Sequence, residues 1–396
     1  MGLLRRSQGP NVARKDRKYL GRTNPAQDIE IVAANGSRLR DAQGGTYIDF
    51  QCGWCVGNLG WNPPEILARV RSFEGPTYVA PGVLYEPWTE LAELLVDLAP
   101  GSLARAFRCV GGTEAVDLAL QLAMKYTGRH KIVSIDGAYH GNSIGARAIG
   151  ADDGEVHVPG FKKLAPPLDA KALDRLETVL KHRDVAAFIM EPIVLNLAVL
   201  IPDTEFMQGL VELCHRYGTL VIMDEVGTAF GRCGRMYASE LFGIEPDIMP
   251  LAKAITAGVA PLATVLTTEE VAEAELDFYS TFGWHPVAVE AAIGVQHYWR
   301  EHRDAVLANI VERSVQMRQQ LSLMEWPMEP ELRIQGLACA VDVGDKNYVR
   351  KLEAGCRDGG LLAFAEDEAF VMFPALTIDH DTLQEGLDII ADCVRR

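Results

Sequence analysis

The sequence lacks the features that would direct it to nucleic acid or into a membrane. Its 54 acidic residues outnumber its 38 lysines and arginines, so a net charge of -16 leaves no basic surplus for a phosphate backbone. No apolar run approaches the length of a membrane span. The basic first 22 residues have no apolar core long enough for a secretory signal, and Arg6 stands where a myristoylation motif requires serine or threonine. We therefore expect a cytoplasmic protein whose first residues form a solvated or subunit-contacting arm.

The eight cysteines are too scattered for a disulfide framework. Only Cys52 and Cys55 have a CxxC spacing, and a redox motif of that kind would have to open a helix after a strand inside a small thioredoxin-like unit. The flanking segments GTYIDFQ and VGNLGWNPPE do not fit that arrangement. We therefore expect reduced thiols, as in an intracellular protein, and we predict no metal site.

Short apolar runs alternate with amphipathic helical segments through the middle of the chain. This order is typical of a mostly parallel sheet covered by helices, so we predict an α/β fold. Two strand-like pieces joined by the turn signal Asn35-Gly36 come first, and a long helix, a strand pair and a closing helix come last. We predict that these ends pack as a smaller α+β domain, formed by residues 1–50 and 283–396, beside a large domain of residues 51–282.

Reactive and polar residues follow five of the predicted strands. Open parallel sheets bind ligands at the carboxyl edge of their strands, so we expect these residues to lie close together. They are the segment GGTE at 111–114, the segment AYHGN at 138–142, Glu191, Asp224 and Lys253.

Two of these features fit the binding of charged groups. Gly111, Gly112 and Thr113 open a helical segment, where backbone N–H groups and the helix dipole face an anion such as a phosphate. An ordinary helix cap would use the same residue types. Asp224 ends an apolar strand, where a carboxylate is costly unless it meets a cation such as a protonated ring nitrogen. A helix cap or a buried ion pair is the alternative for Asp224.

The other features fit a flat aldehyde cofactor. Tyr139 and His140 place an aromatic ring where such a cofactor could stack, although loop packing is the commoner reason for an aromatic residue there. Lys253 follows an apolar run, and an amine in apolar surroundings loses part of its charge and can attack an aldehyde. A surface lysine with its stem on apolar neighbours would leave the same pattern. A phosphate turn, a stacking ring, an acidic residue and a Schiff-base lysine are together the components of a pyridoxal phosphate site.

Three segments resemble the class III (omega/ornithine-type) aminotransferases, which are fold-type I pyridoxal phosphate enzymes. The segments are TYIDFQCGWCVGNLGW, GGTEAVDLALQLAMKYTGRHKIVSIDGAYHG and LVIMDEVGTAFGRCGRMYASELFGIEPDIMPLAKAI, and the resemblance runs from about residue 28 to residue 390. It implies a large domain that binds the cofactor and a smaller one built from both ends of the chain.

The resemblance also assigns a role to each candidate residue. It implies that Lys253 forms the Schiff base with the cofactor, that Asp224 pairs with the pyridine nitrogen, and that Thr281 reaches the phosphate of the partner subunit's cofactor. The last role implies a homodimer with shared active sites. The cofactor-binding positions are then Gly111, Gly112, Thr113, Tyr139, His140, Glu191, Asp224, Lys253 and Thr281.

The sequence departs from the ornithine- and aminobutyrate-type relatives at a glutamate–arginine pair. Asn196 stands at the position of the glutamate and Val371 at that of the arginine. The asparagine resembles the glutamate-1-semialdehyde aminomutase branch, which is therefore the nearest branch by this comparison. The chain is nevertheless short between Ile149 and Lys163, where an aminomutase has its longer gating loop, so the resemblance does not assign that activity.

Arginine anchors for a substrate carboxylate are also missing from the expected positions. We predict an aromatic substrate pocket, formed by Trp54, Asn196 and Trp284, that favours an amine, an amino sugar or a semialdehyde over a simple α-amino acid. The alternative is that an arginine elsewhere, such as Arg235, supplies the anchor.

The sequence therefore predicts an aminotransferase that moves an amino group from an amine or amino acid to a keto acid or aldehyde by a ping-pong mechanism. An aminomutase or a racemase on the same fold is the first alternative. A non-catalytic protein that binds the cofactor is the second, and the loss of the lysine or an attached DNA-binding module would favour it. The sequence shows neither feature.

Overall fold

The computed structural model describes residues 12–23, 26–27, 29–151, 156–274 and 276–395. Two predicted features lie partly outside the described residues. They are the basic arm, at residues 1–11, and the short stretch between Ile149 and Lys163, at residues 152–155. In the part that is described, no helix is both long enough and apolar enough to cross a membrane.

Strands and helices alternate along most of the described chain. The strands are β1 (Ile31–Asn35), β2 (Arg38–Asp41), β3 (Thr46–Asp49), β4 (Leu103–Cys109), β5 (Lys131–Ile135), β6 (Phe161–Leu164), β7 (Val185–Met190), β8 (Leu220–Met223), β9 (Ile248–Leu251), β10 (Ala263–Thr268), β11 (Glu331–Gln335), β12 (Ala338–Asp342), β13 (Leu361–Leu362), β14 (Phe364–Glu366) and β15 (Ala369–Met372). The helices are α1 (Val12–Tyr19), α2 (Cys52–Cys55, a single turn), α3 (Pro64–Arg71), α4 (Glu86–Leu98), α5 (Gly112–Thr127), α6 (Ile144–Ile149), α7 (Ala170–Leu180), α8 (Thr204–Arg216), α9 (Glu269–Ala272), α10 (Pro286–Leu323), α11 (Lys346–Asp358) and α12 (His380–Val394).

A seven-stranded sheet in the order β4-β10-β9-β8-β7-β5-β6 forms the centre of the molecule. The strands from β9 to β6 run parallel, whereas β10 is antiparallel to both of its neighbours. The α/β fold with a mostly parallel central sheet is therefore confirmed. The sequence pattern did not reveal β6 and β10, because each is a short strand without a clear alternation of polar and apolar residues.

Helices cover both faces of this sheet. Along β7, Phe188 and Met190 pack in the cluster that includes α7 and α8, whereas Ala187 and Ile189 pack in the cluster that includes α5. This alternation follows from the two-residue period of a strand, and burial on both faces explains why β7 is wholly apolar. The carboxyl ends of β7, β8 and β9 therefore meet at one edge of a covered sheet.

The two ends of the chain share a second sheet, in the order β1-β2-β3-β13. Its β3 is parallel to β13, which pairs residues 48–49 with residues 361–362. The second predicted strand-like piece is in fact two strands, β2 and β3, because Asp41 turns the chain by accepting hydrogen bonds from the amides of Gln43 (2.9 Å) and Gly45 (2.7 Å). A third sheet, β11-β12-β15-β14, follows α10, and Phe364 on its β14 stacks on Trp54 with ring centroids 4.0 Å apart.

Candidate active site

A cavity of about 400 Å³ opens where the parallel strands end. This volume lies within the usual range for cofactor and small-molecule sites. The structure brings most of the predicted site residues to its lining: Trp54, Gly111, Gly112, Thr113, Tyr139, His140, Glu191, Asn196, Asp224 and Lys253.

Asp224 directly follows β8 and is buried in the cavity floor. One carboxylate oxygen (Oδ2) lies 2.7 Å from Nδ1 of His140, and the other (Oδ1) accepts a hydrogen bond of 3.1 Å from the amide of Val226. The other ring nitrogen of His140, Nε2, is buried and has no partner among the described residues. His140 therefore fixes the orientation of a carboxylate that faces the cavity.

The glycine-rich turn between β4 and α5 is open toward the cavity. Gly111 is the N-cap of α5 and makes no side-chain cap, so the alternative of an ordinary helix cap at Thr113 is not what the structure shows. A Cβ on Gly111 would meet nothing within 4 Å, whereas a Cβ on Gly112 would lie 3.0 Å from the side chain of Val226. The first amides of a 16-residue helix are thus left facing the cavity, as an anion site requires.

The segment after β5 approaches this turn closely. Gly141 has a φ of +124°, and a Cβ there would lie 2.4 Å from Oγ1 of Thr113, so only glycine fits without movement. The amide of Asn142 donates to the same Thr113 oxygen (3.3 Å), and the Asn142 side chain donates to the hydroxyl of Tyr139 (3.0 Å). The ring of Tyr139 is 43% exposed, which leaves a face free for a flat ligand.

Glu191 follows β7 and is buried beside Asp224. Its carboxylate accepts hydrogen bonds of 3.2 Å from the amides of Tyr139 and Leu195. Burial raises the pKa of the Glu191 carboxyl to about 7, and the nearby His140 offsets only part of that rise. Burial therefore favours the protonated form of this carboxyl more than water does.

Lys253 begins a short turn after β9 and has a φ of +46°. It lines the cavity, half-buried, and does not extend along the surface. Its Nζ would lie 3.3 Å from a Cβ on Gly227, and no carboxylate of the described chain pairs with it. The amine thus lines the cavity and is free to react.

Trp54 and Asn196 form the outer wall. Trp54 lies in α2, where Cys52, Gly53, Trp54 and Cys55 all have positive φ, between 51° and 68°. The CxxC spacing is therefore a left-handed turn with two free, buried thiols and not the start of a redox helix. The Trp54 ring stacks on Phe364 at 4.0 Å, and the Asn196 side chain donates to the carbonyl of Gly137 (2.9 Å).

Two predicted residues do not line this cavity. Trp284 is 1% exposed, and its indole donates to the carbonyl of Ala263 (2.9 Å), so its prediction as a wall of the substrate pocket is wrong for this cavity. The chain turns at Trp284 with a φ of +60°, which directs the ring into the core beside β10. Thr281 is exposed and lies outside the cavity lining, and Arg235 is exposed and also absent from it.

The site has the features of a pyridoxal phosphate-dependent transferase. They are a sheet edge, a glycine-rich turn at a helix N-terminus, a buried carboxylate and a free lysine. The chain belongs to the aminotransferase class-III family, whose profile matches residues 20–394. It is therefore an aminotransferase, and pyridoxal phosphate is its cofactor.

Individual relatives agree with this membership. The chain is 32% identical over 384 residues to the acetylornithine aminotransferase of Methanopyrus kandleri, covering 96% of this chain and 97% of that one. It is 33% identical over 285 residues to the putrescine aminotransferase of Pectobacterium atrosepticum, covering 67% of this chain and 60% of that one. The taurine:2-oxoglutarate aminotransferase of Bifidobacterium kashiwanohense, solved with pyridoxal phosphate and glutamate, has a TM-score of 0.92 at 27% identity, covering 100% of this chain and 98% of that one.

The expectation that the aminomutase branch is nearest is not supported. The curated relatives just described are named as aminotransferases for acetylornithine and putrescine. A single asparagine at position 196 was too small a signal to assign a branch, because one side chain changes easily within a pocket while the rest of the chain keeps its pattern.

Proposed function

We propose that this aminotransferase takes its amino group from an amine, or from an amino compound whose carboxylate is not bound by arginine, and passes it to a keto acid or aldehyde. The observation that carries this proposal is the lining of the cavity. Among the described residues that line it, Lys253 and His140 are the only basic side chains. A carboxylate clamp is typically a bidentate arginine, so this lining favours a substrate without that group.

The outer wall supports the same substrate class. Trp54 and Phe364 stack at 4.0 Å, and Phe373 lies 5.8 Å from Trp54, so an aromatic cluster stands where the substrate side chain would pass. Val371 is fully buried in β15 beside Phe364 and not in the cavity. Only Trp54 of the three rings lines the cavity, with the other two behind it, and apolar contact with its ring suits an amine with an apolar portion.

The relatives differ in whether the substrate in their name carries a carboxylate. The putrescine aminotransferase is named for a diamine, which has no carboxylate, and supports the proposal. The acetylornithine aminotransferases are named for an amino acid and favour the second candidate, a substrate that carries a carboxylate away from the reacting amino group.

The residues present fit the cofactor. We propose that the open amides from Gly111 to Thr113 bind its phosphate, that Tyr139 covers one face of its ring, and that Asp224 holds a proton at the ring nitrogen. His140 keeps Asp224 in position, and both side chains are almost fully buried, which limits the access of water to them. Pyridoxal phosphate, when bound, supplies an aldehyde that joins the amine and a ring that draws electrons from the amino carbon.

Lys253 is the proposed catalytic base. Its Nζ faces the cavity and has no paired carboxylate in the described chain, so it can hold the cofactor and then take a proton from the amino carbon of the substrate. Lys253→Ala should therefore abolish turnover while the protein still folds. Unchanged activity in that variant would contradict the role.

We also propose a homodimer in which Thr281 reaches the phosphate of the partner subunit's cofactor. Thr281 is exposed, and exposed aromatic side chains flank it: Tyr279 is 74% and Phe282 59% accessible. Such a patch is typical of a subunit contact. Mixing inactive Lys253→Ala with weakened Thr281→Ala subunits should restore activity, because one site of each hybrid dimer regains both residues. No gain on mixing would contradict sharing.

A cytoplasmic location is part of the same proposal. All eight cysteines are free in the structure, and all but Cys393 are buried, which fits a reducing compartment.

The substrate proposal is tested by comparing an amine with its carboxylate-bearing analogue. We expect kcat/KM for the amine to be the larger. A preference of about a hundredfold for the carboxylate, the size that an arginine clamp gives, would contradict the proposal and favour the second candidate.

A further inference from the structure

We propose that Arg333 is a positioning residue that holds the Asn196 wall of the cavity from the C-terminal sheet. The inference rests on the proposed function in one respect, because it takes Leu195 and Asn196 to face the substrate. Arg333 itself lies on β11 and does not line the cavity. Its effect on the reaction is therefore indirect.

The wall that needs support is a small closed loop, residues 194–200. Val194 and Leu200 exchange two backbone hydrogen bonds, of 2.9 Å and 3.1 Å, which close the base of the loop. Leu195 and Asn196 lie between them and line the cavity. A displacement of the loop tip would move both side chains relative to the substrate.

The tip of this loop has a strained backbone. Ala198 has a φ of +49° and Val199 a φ of +55°. Residues other than glycine rarely adopt this region, and a β-branched residue such as valine is disfavoured there most of all. A conformation of this kind persists only where surrounding contacts enforce it. Burial of Val199 is one such contact, and Arg333 supplies the polar one.

The guanidinium of Arg333 binds the strained tip of the loop directly. Its Nη1 donates to the carbonyls of Leu197 (3.4 Å) and Ala198 (3.2 Å), across 135 residues or more of sequence. Its Nε and Nη2 are held by Glu331 at 2.8 Å and 2.6 Å, and Nη2 also donates to Asp342 at 3.2 Å. The two carboxylates fix the plane of the guanidinium, so that Nη1 points at the loop.

The same sheet also contacts Trp54, the other residue of the outer wall. Phe364 on β14 stacks on Trp54 at 4.0 Å, and β14 belongs to the sheet that carries Arg333. Both residues of the outer wall, Trp54 and Asn196, are therefore attached to one sheet. Loss of the Arg333 contacts should loosen the loop that carries Asn196 and leave Trp54 in place.

The test compares Arg333→Gln with Arg333→Lys and with a matched control, Arg318→Gln. Arg318 also donates to a backbone carbonyl, that of Ile334 at 3.1 Å on the same strand, but it does not contact the loop. Each holoenzyme is measured by steady-state kinetics and by amide hydrogen exchange of the peptide that covers residues 194–200. The kinetic substrate is whichever of the amine and its carboxylate analogue the wild type prefers, so a failure of the substrate proposal leaves this test intact.

In Arg333→Gln we expect amide hydrogen exchange in residues 194–200 to be about tenfold faster, because hydrogen bonds from a charged donor are lost. We expect KM to rise about tenfold, whereas kcat should change less than about twofold. Arg333→Lys should recover part of both effects, and Arg318→Gln should show neither. If Arg333→Gln does not fold, Glu331→Gln takes its place, because it weakens the two contacts of 2.8 Å and 2.6 Å that orient the guanidinium without removing the guanidinium itself. Unchanged exchange in the loop, or equal losses in the control, would overturn the proposal.

Discussion

Replacement of Glu191 by glutamine should remove a pH dependence from the stability of the protein. Burial raises the pKa of this carboxyl from 4.5 to about 7. Between these two values the native state keeps the proton that the unfolded state has lost, so the stability of the wild type falls as the pH rises. The loss begins near the unfolded pKa and is complete above the folded one. A shift of this size corresponds to about 3 kcal/mol in total.

The glutamine variant cannot lose this proton, so its own stability should not follow that slope. It keeps a side-chain oxygen that can accept a hydrogen bond from the amide of Tyr139 or Leu195, the two donors that the carboxylate binds at 3.2 Å. The difference between the two proteins is therefore the informative quantity, since titrating groups distant from Glu191 contribute equally to both and cancel. Relative to the wild type, Glu191→Gln should gain about 2.5 kcal/mol between pH 5 and pH 8, because part of the total is already lost below pH 5.

The assay is urea unfolding of the cofactor-free protein at several pH values from 5 to 8, followed by circular dichroism. The cofactor is removed because its own charges would add to those of Asp224 and His140. Asp203 is an exposed residue at the N-cap of α8, and Asp203→Asn provides a matched control. A difference between Glu191→Gln and wild type that is constant with pH, or that falls as the pH rises, would refute the reasoning.

Three further substitutions test separate parts of the site. Gly141→Ala places a Cβ 2.4 Å from Thr113 Oγ1, and overpacking of that kind should weaken cofactor binding by about tenfold or more, as measured by fluorescence titration; unaltered affinity would refute the close-approach argument. Asp224→Asn should lower kcat by roughly a hundredfold or more because it removes the charge that holds the ring proton, and full activity would exclude that role. Trp54→Ala should raise KM for an aromatic amine by about tenfold, since it removes the ring that stacks on Phe364; an unchanged KM would place the substrate elsewhere.

The residues of the site could be predicted from the order of strands along the chain. Glu191, Asp224 and Lys253 each follow an apolar run, and parallel strands end at one edge, so their meeting follows from topology alone. The α/β fold could be predicted for the same reason. Strands β6 and β10 could not, because four to six apolar or mixed residues give no period that separates a strand from a loop.

Side-chain directions at irregular backbone could not be predicted. Trp284 is three residues from Thr281, yet a φ of +60° turns its ring into the core, and sequence spacing does not contain that information. The left-handed turn at Cys52–Cys55 could not be predicted either. Glycine is the usual sequence sign of a positive φ, and only one of these four residues is a glycine. The contacts of Arg333 could not be predicted either, because the carbonyls it binds are 135 or more residues away. A lone arginine in a strand gives no sign of a distant backbone partner.

The central claim, an aminotransferase that accepts an amine, is tested most directly by the visible absorption of the purified holoenzyme. An amine donor is added without any acceptor, and a keto acid is added afterwards; the carboxylate-bearing analogue is run in parallel. We predict that the amine discharges the cofactor's visible band, that the keto acid restores it, and that the carboxylate-bearing analogue discharges the band less readily. A band that persists while the substrate is isomerised or epimerised, or that responds only to the carboxylate-bearing analogue, would contradict it.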